Sequence, residues 1–241
     1  MKPELKELVA RLEKGLNDRL ISVILYGSAA GNESDPVYSD LNVLCVLKQI
    51  TPRELLESEP ILGWWRDQGH PAPLLMTEDE VAESADSFPI EFRDMKERRR
   101  VLYGMDLIAH LHVDTRHHRT QLEHELRSKL LRLRTQGARV LSDPAQLLRL
   151  CLDSVTTFVV LARHALLASG HAPHGSRHHM VRQLAQVAAV DFSPFETLLS
   201  VREDRAGVDP GDPGELFAQY LQAVEGMVHF VDRLEIKENL R

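Results

Sequence analysis

The first 112 residues alternate between two hydrophobic periods. Leu5, Leu8, Val9, Leu12 and Leu16 recur at helical spacing and predict an opening helix. Two apolar runs follow, Ile21–Tyr26 and Leu41–Leu47, each short enough for a strand. The second is apolar on both faces beyond Asn42, which suits a central strand. Thr51-Pro52-Arg53-Glu54 reads as a capping box with Pro at the first helical position. Trp64 and Trp65 fall in a second helical piece, and Pro71–Met76 reads as another strand. Thr77–Glu80 is again a capping box and opens a short helix that ends near Ser84. Ile90–Lys96 reads as a further strand and Val101–Tyr103 as a short last one. The order is α-β-β-α-β-α-β before that short last strand, a mixed sheet with flanking helices.

From about Asp114 the period is helical throughout. Leu122, Leu126, Leu130 and Leu133 form one stripe. Ser142-Asp143-Pro144 caps a long helix running to Ser169-Gly170, and its middle is apolar nearly all round, as in the centre of a bundle. Ser193-Pro194-Phe195-Glu196 reads as one more capping box. Asp212-Pro213 opens a last helix striped by Leu216, Tyr220, Val224, Met227, Val231 and Leu234. The expected fold is therefore α+β: a mixed-sheet domain over residues 1–112, then an all-α helical bundle over 113–241.

The polar residues between the first two strands carry the candidate chemistry. The first strand ends in Gly27-Ser28, and the second opens with Ser39-Asp40-Leu41-Asn42. Residues two apart on a strand point to one side, so Asp40 and Asn42 project together, close to the Gly-Ser turn. Small residues at that turn let backbone N–H groups approach a phosphate. A phosphate cradle beside an oxygen ligand pair is what metal-assisted phosphoryl or nucleotidyl transfer requires.

These residues resemble the nucleotidyltransferase (DNA polymerase β-like) superfamily, whose signature is a Gly-Ser turn followed by Asp-x-Asp. Gly27, Ser28 and Asp40 match; Asn42 stands where the second metal-binding Asp belongs. An α/β domain followed by a helical bundle is also the layout of bacterial aminoglycoside nucleotidyltransferases. The resemblance implies transfer of NMP from an NTP to an acceptor hydroxyl, with Mg²⁺ or Mn²⁺ held by Asp40 and Asn42. It also implies a third carboxylate from a later strand. Glu91 and Asp94 are the candidates, and strand alternation favours Glu91, which falls opposite Ile90 and Phe92. Glu91 would complete the metal site or take the acceptor proton. Asn replaces a charged ligand by one neutral carbonyl oxygen, and ligand charge tunes the affinity of hard cations. The alternative is a catalytically impaired nucleotide-binding or interaction module of the same fold, antitoxin-like in role. The expected partners are an NTP and an acceptor, whether small molecule, protein or RNA end. No membrane is expected, and self-association is left open.

Composition narrows the classes. Two cysteines, Cys45 and Cys151, lie inside apolar runs, which excludes a disulfide framework and suits a reducing cytoplasm. The N-terminus is charged and amphipathic rather than signal-like. Residues 1–112 hold 13 Lys/Arg against 20 Asp/Glu and so account for the whole net charge of −7. Most of these acids fall on predicted helix surfaces and read as solvated faces. Six of the twelve histidines fall at His117-His118 and in His171–His179, where metal binding is conceivable; no spacing there fits one helix face plus a third partner, which favours a solvated loop. Arg119 and His124 match a loose Arg-x4-His pattern of helical ribonucleases of the HEPN type, but the apolar stripe puts them on different sides of their helix. Arg127 and Arg134 share a face that could meet a triphosphate.

Overall fold

A computed structural model describes residues 2–31, 41–85, 87–114, 116–203 and 208–234. The chain divides into two compact units, Met1–Thr115 and Arg116–Arg241.

In the first unit, α1 (Pro3–Leu16) leads through a short 3-10 turn into β1 (Leu20–Tyr26). Next come β2 (Asn42–Leu47), α2 (Pro52–Asp67), β3 (Leu74–Thr77), α3 (Glu78–Glu83), α4 (Pro89–Glu97) and β4 (Arg99–Gly104). The sheet order is β3-β2-β1-β4. β1 pairs antiparallel with β2 and β4, while β2 pairs parallel with β3. β2 is therefore central, as its two-sided apolar pattern requires.

The pleat sorts the strand residues onto two faces. Val23, Leu25, Val43, Cys45 and Leu47 pack with the apolar stripe of α1 and with Ile61 and Trp65 of α2. Ile24, Leu44 and Val46 pack with Met76, Val81 of α3, and Phe92 and Met95 of α4. The Thr51 and Thr77 capping boxes both form. The helical piece expected from Pro52 and the one expected at Trp64 and Trp65 are one continuous helix, α2; Pro60 lies inside it, and buried Ile61 and Trp65 hold the turns beyond the proline in place.

One element differs in kind from its sequence reading. Ile90–Lys96 is not a strand; it lies within the helix α4. Pro89 occupies the first turn, Glu91 complements the N-terminal end of the dipole, and Lys96 the C-terminal end. Ile90 and Phe92 mimic a period of two, but the next buried residue is Met95, three on from Phe92, which is helical spacing.

The second unit is all helical: α5 (His118–Val140), α6 (Pro144–Ala168), α7 (Arg177–Ala188), α8 (Ser193–Arg202) and α9 (Pro213–Asp232). α6 packs against each of the other four. Every residue from Leu161 to Leu166 is buried, which explains the lack of a polar face there. Buried Arg163 and His164 are part of this run, and His164 Nδ1 lies 2.9 Å from Nε2 of His118 on α5. Asp143 and Asp212 cap their helices as expected. The capping box at Ser193 does not form. Ser193 is already helical, and its N–H donates to the Asp191 carboxylate at 2.8 Å, which ends the preceding connection instead.

Candidate functional site

β1 ends at a backbone position that favours glycine. Gly27 has φ of +78°, in the left-handed region, and a Cβ there would lie 3.3 Å from Nδ2 of Asn42. Its N–H donates to the Arg98 carbonyl at 3.0 Å. Its own carbonyl accepts from Ala30 at 3.1 Å, closing the 3-10 turn Ser28–Ala30. The turn is thereby fixed at both ends, with the Asn42 amide packed against its glycine. Asp40 and the Ser28 side chain lie outside the described residues.

Asn42 is half-buried at the head of β2 and pairs in register with Tyr26, the last residue of β1. Both follow the alternation of Ile24, Leu44 and Val46, so both face the side of the sheet covered by α3 and α4. Tyr26 packs into that apolar cluster. Burial pushes its phenol above the ordinary value, and the negative charges of Glu91 and Asp94 push it further the same way. Glu91 and Asp94 are three residues apart on α4 and thus share a helix face. Glu91 is exposed and Asp94 half-buried. The strand alternation that favoured Glu91 over Asp94 has no force on a helix, and both carboxylates act on Tyr26.

The sheet supplies no carboxylate from its later strands. β3 reads Leu74-Leu75-Met76-Thr77 and β4 reads Arg99-Arg100-Val101-Leu102-Tyr103-Gly104. Among the described residues, no three His, Cys, Asp or Glu side chains converge on a metal-sized space. Glu91 and Asp94 supply negative charge from a helix, acting on Tyr26, the register partner of Asn42. Cys45, in the middle of β2, is fully buried and its thiol is pushed up to about 12, which makes it an inert core residue.

The other polar candidates are engaged within the helical unit. Arg119 donates to Glu123 and to the Val231 and Asp232 carbonyls, each at 3.2 Å, and so ties α5 to the end of α9. Arg127 bonds Glu123 and Asp232, and Arg134 bonds Glu225. These cations hold α5 against α9, a tertiary role that their shared helix face does not reveal.

No family model and no characterised protein sequence matches this chain. Among solved structures, it is similar to spectinomycin adenyltransferase AAD(9) from Enterococcus faecialis, determined with ATP and spectinomycin. The identity is 13 %, the TM-score 0.60, and the match covers 95 % of this chain and 98 % of that one. The chain has a nucleotidyltransferase-like fold. At that identity the likeness carries the architecture and no residue assignments.

Proposed function

We propose that this chain binds an NTP at the end of β1 and β2 and transfers NMP to an acceptor hydroxyl. The observation that carries the reading is the fixed Gly27 turn packed against Asn42, on the sheet face that also receives Glu91 and Asp94. A fold shared with an ATP-using adenyltransferase supports it. Gly27 uses its own N–H on Arg98, so it serves by shaping the turn. The N–H groups at the head of that turn, Ser28 and Ala29, approach the phosphates. The acceptor oxygen attacks the α-phosphorus, the bond from that phosphorus to the bridging oxygen breaks, and pyrophosphate leaves. The acceptor proton passes to a carboxylate of α4, Glu91 by first assignment and Asp94 beside it.

Asp40 and Asn42, with Glu91, are the residues that would hold Mg²⁺ or Mn²⁺, an oxygen donor set suited to a hard cation. Such an ion supplies charge neutralisation at the phosphates. With Asn42 neutral, the triphosphate must contribute more of the charge than it would beside two aspartates. That same neutrality, together with β3 and β4 lacking a carboxylate, favours one second reading. It is a nucleotide-binding or interaction module of this fold that has lost catalysis.

Transfer of label from an α-labelled NTP, to the protein and to panels of small-molecule and RNA acceptors, separates the two. Labelling by the unaltered chain, abolished by Asp40→Ala, is the expected result. If neither the unaltered chain nor Asn42→Asp labels anything, the transferase reading fails and the binding module remains.

A further inference from the structure

The histidine-rich connection between α6 and α7 has an ordered geometry that its composition alone does not reveal. His174 lies in the connection and His179 in the first turn of α7, and their Nε2 atoms are 3.1 Å apart. The backbone brings them together. Gly175 has φ of +73°, and a Cβ on it would lie 3.2 Å from Cβ and 3.3 Å from Cγ of His179, so the chain turns tightly over that ring. Ser176 then caps α7 by accepting from the His179 N–H at 3.3 Å.

The hydrogen bonds around the pair fix which nitrogen is free to bind. Nδ1 of His174 is 3.1 Å from the Ala172 carbonyl. A carbonyl only accepts, so this nitrogen carries the hydrogen, and Nε2 of the neutral ring presents its lone pair. Gln183 donates to the same carbonyl at 3.1 Å and holds it in place. This is the outer support that metal-binding imidazoles ordinarily have. Two nitrogens bound to one tetrahedral ion at about 2.0–2.1 Å stand roughly 3.3 Å apart, so the observed separation needs only a slight opening.

The geometry points to a two-imidazole transition-metal site at the α6–α7 connection, with Nε2 of His174 and Nε2 of His179 as ligands. No third His, Cys, Asp or Glu joins them among the described residues, so the ion keeps solvent in its remaining positions. Imidazole suits Cu²⁺, Ni²⁺ and Zn²⁺, whereas Mg²⁺ prefers oxygen. The bound ion ties the connection to the first turn of α7. In the metal-free protein Nε2 of His179 donates to Nε2 of His174, and binding shifts that hydrogen to Nδ1 of His179, which frees Nε2 as a ligand.

The test is calorimetric titration of the tag-free full chain with Cu²⁺, Ni²⁺, Zn²⁺ and Mg²⁺ at neutral pH. One equivalent of each transition metal is expected to bind, Cu²⁺ most tightly, and Mg²⁺ is expected to give no signal at this site. His174→Ala and His179→Ala should each weaken binding by at least ~10-fold, the lower end of what losing even an outer-shell partner costs. His171→Ala, whose ring bonds Ser169 instead, should leave the affinity within about twofold. Both ligand residues are exposed and every variant keeps its backbone N–H, so the helical signal should be unchanged. Absence of binding by all three transition metals overturns the inference. Binding that survives either ligand substitution does so too.

Discussion

The two faces of the sheet use charge in opposite ways. Behind the α1/α2 face, Arg19 donates to Glu54 at 2.9 Å and also to Glu57, while Thr51 donates to Glu54 from its N–H at 3.0 Å and from its hydroxyl. The Glu54 side chain is fully shielded from solvent, and the Thr51 and Arg19 hydrogen bonds hold its carboxyl down at about 2. Opposite charges here are matched and serve to join α2 to the turn before β1. On the α3/α4 face, two carboxylates of like sign lie near a phenol and drive it the other way. The first group joins elements of the fold; the second places negative charge beside Tyr26 at the end of β1, where a cation or a proton would be received. The difference predicts that stability and nucleotide chemistry separate by face.

The largest effect on stability should come from the packed face. Trp65 is fully buried, packs with α1 and β2, and donates its indole N–H to the Pro71 carbonyl at 2.9 Å. Trp65→Ala should cost about 3–5 kcal/mol, read by denaturant unfolding. A loss below about 1 kcal/mol would mean that this face is not the one holding the unit together.

A smaller effect, with a pH signature, belongs to Glu54. Its folded value of about 2 lies below the ordinary 4.5, so its stabilisation is full above about pH 4.5 and is lost as pH falls towards 2. Glu54→Gln should lower the melting temperature at neutral pH and flatten the decline between those values. An unchanged acid profile would show that the Arg19 network contributes nothing.

The smallest stability change, and the largest functional one, is expected on the other face. Glu91→Gln and Asp94→Asn should each alter stability by no more than about 0.5 kcal/mol. Both should lower the Tyr26 pKa in a spectrophotometric titration, because each removes a charge that raises it. Loss of label transfer in one and not the other identifies which carboxylate takes the proton. If both variants transfer at the original rate, α4 plays no part in the chemistry.

Much of this was legible in the sequence, and the exceptions have physical reasons. β1 and β2 are continuous apolar runs, and a run buried on both faces has few other places to go. Thr51, Thr77, Asp143 and Asp212 cap helices because caps are local, needing only a side chain and an N–H two or three residues on. The local pattern failed at α4, where nine residues set Ile90 and Phe92 at the strand period and only Met95 at the helical one. It failed at Ser193, where Asp191 competes for the same N–H. The Arg19–Glu54–Glu57 network joins residues 35 and 38 positions apart, and pairing at that distance is a product of the fold. Gly27 and Asn42 were legible as a pair because the hairpin register places them side by side.

On the proposal above, the Gly27–Asn42 end of the sheet receives a nucleotide. A ligand that binds only the native state raises the melting temperature by mass action. The direct measurement is the melting temperature of the full chain with each of the four NTPs, with Mg²⁺ or Mn²⁺ and without. An upward shift is expected with at least one NTP, larger with metal and larger again in Asn42→Asp, where a second charge joins Asp40. No shift with any NTP at millimolar concentration, in either protein, would contradict it.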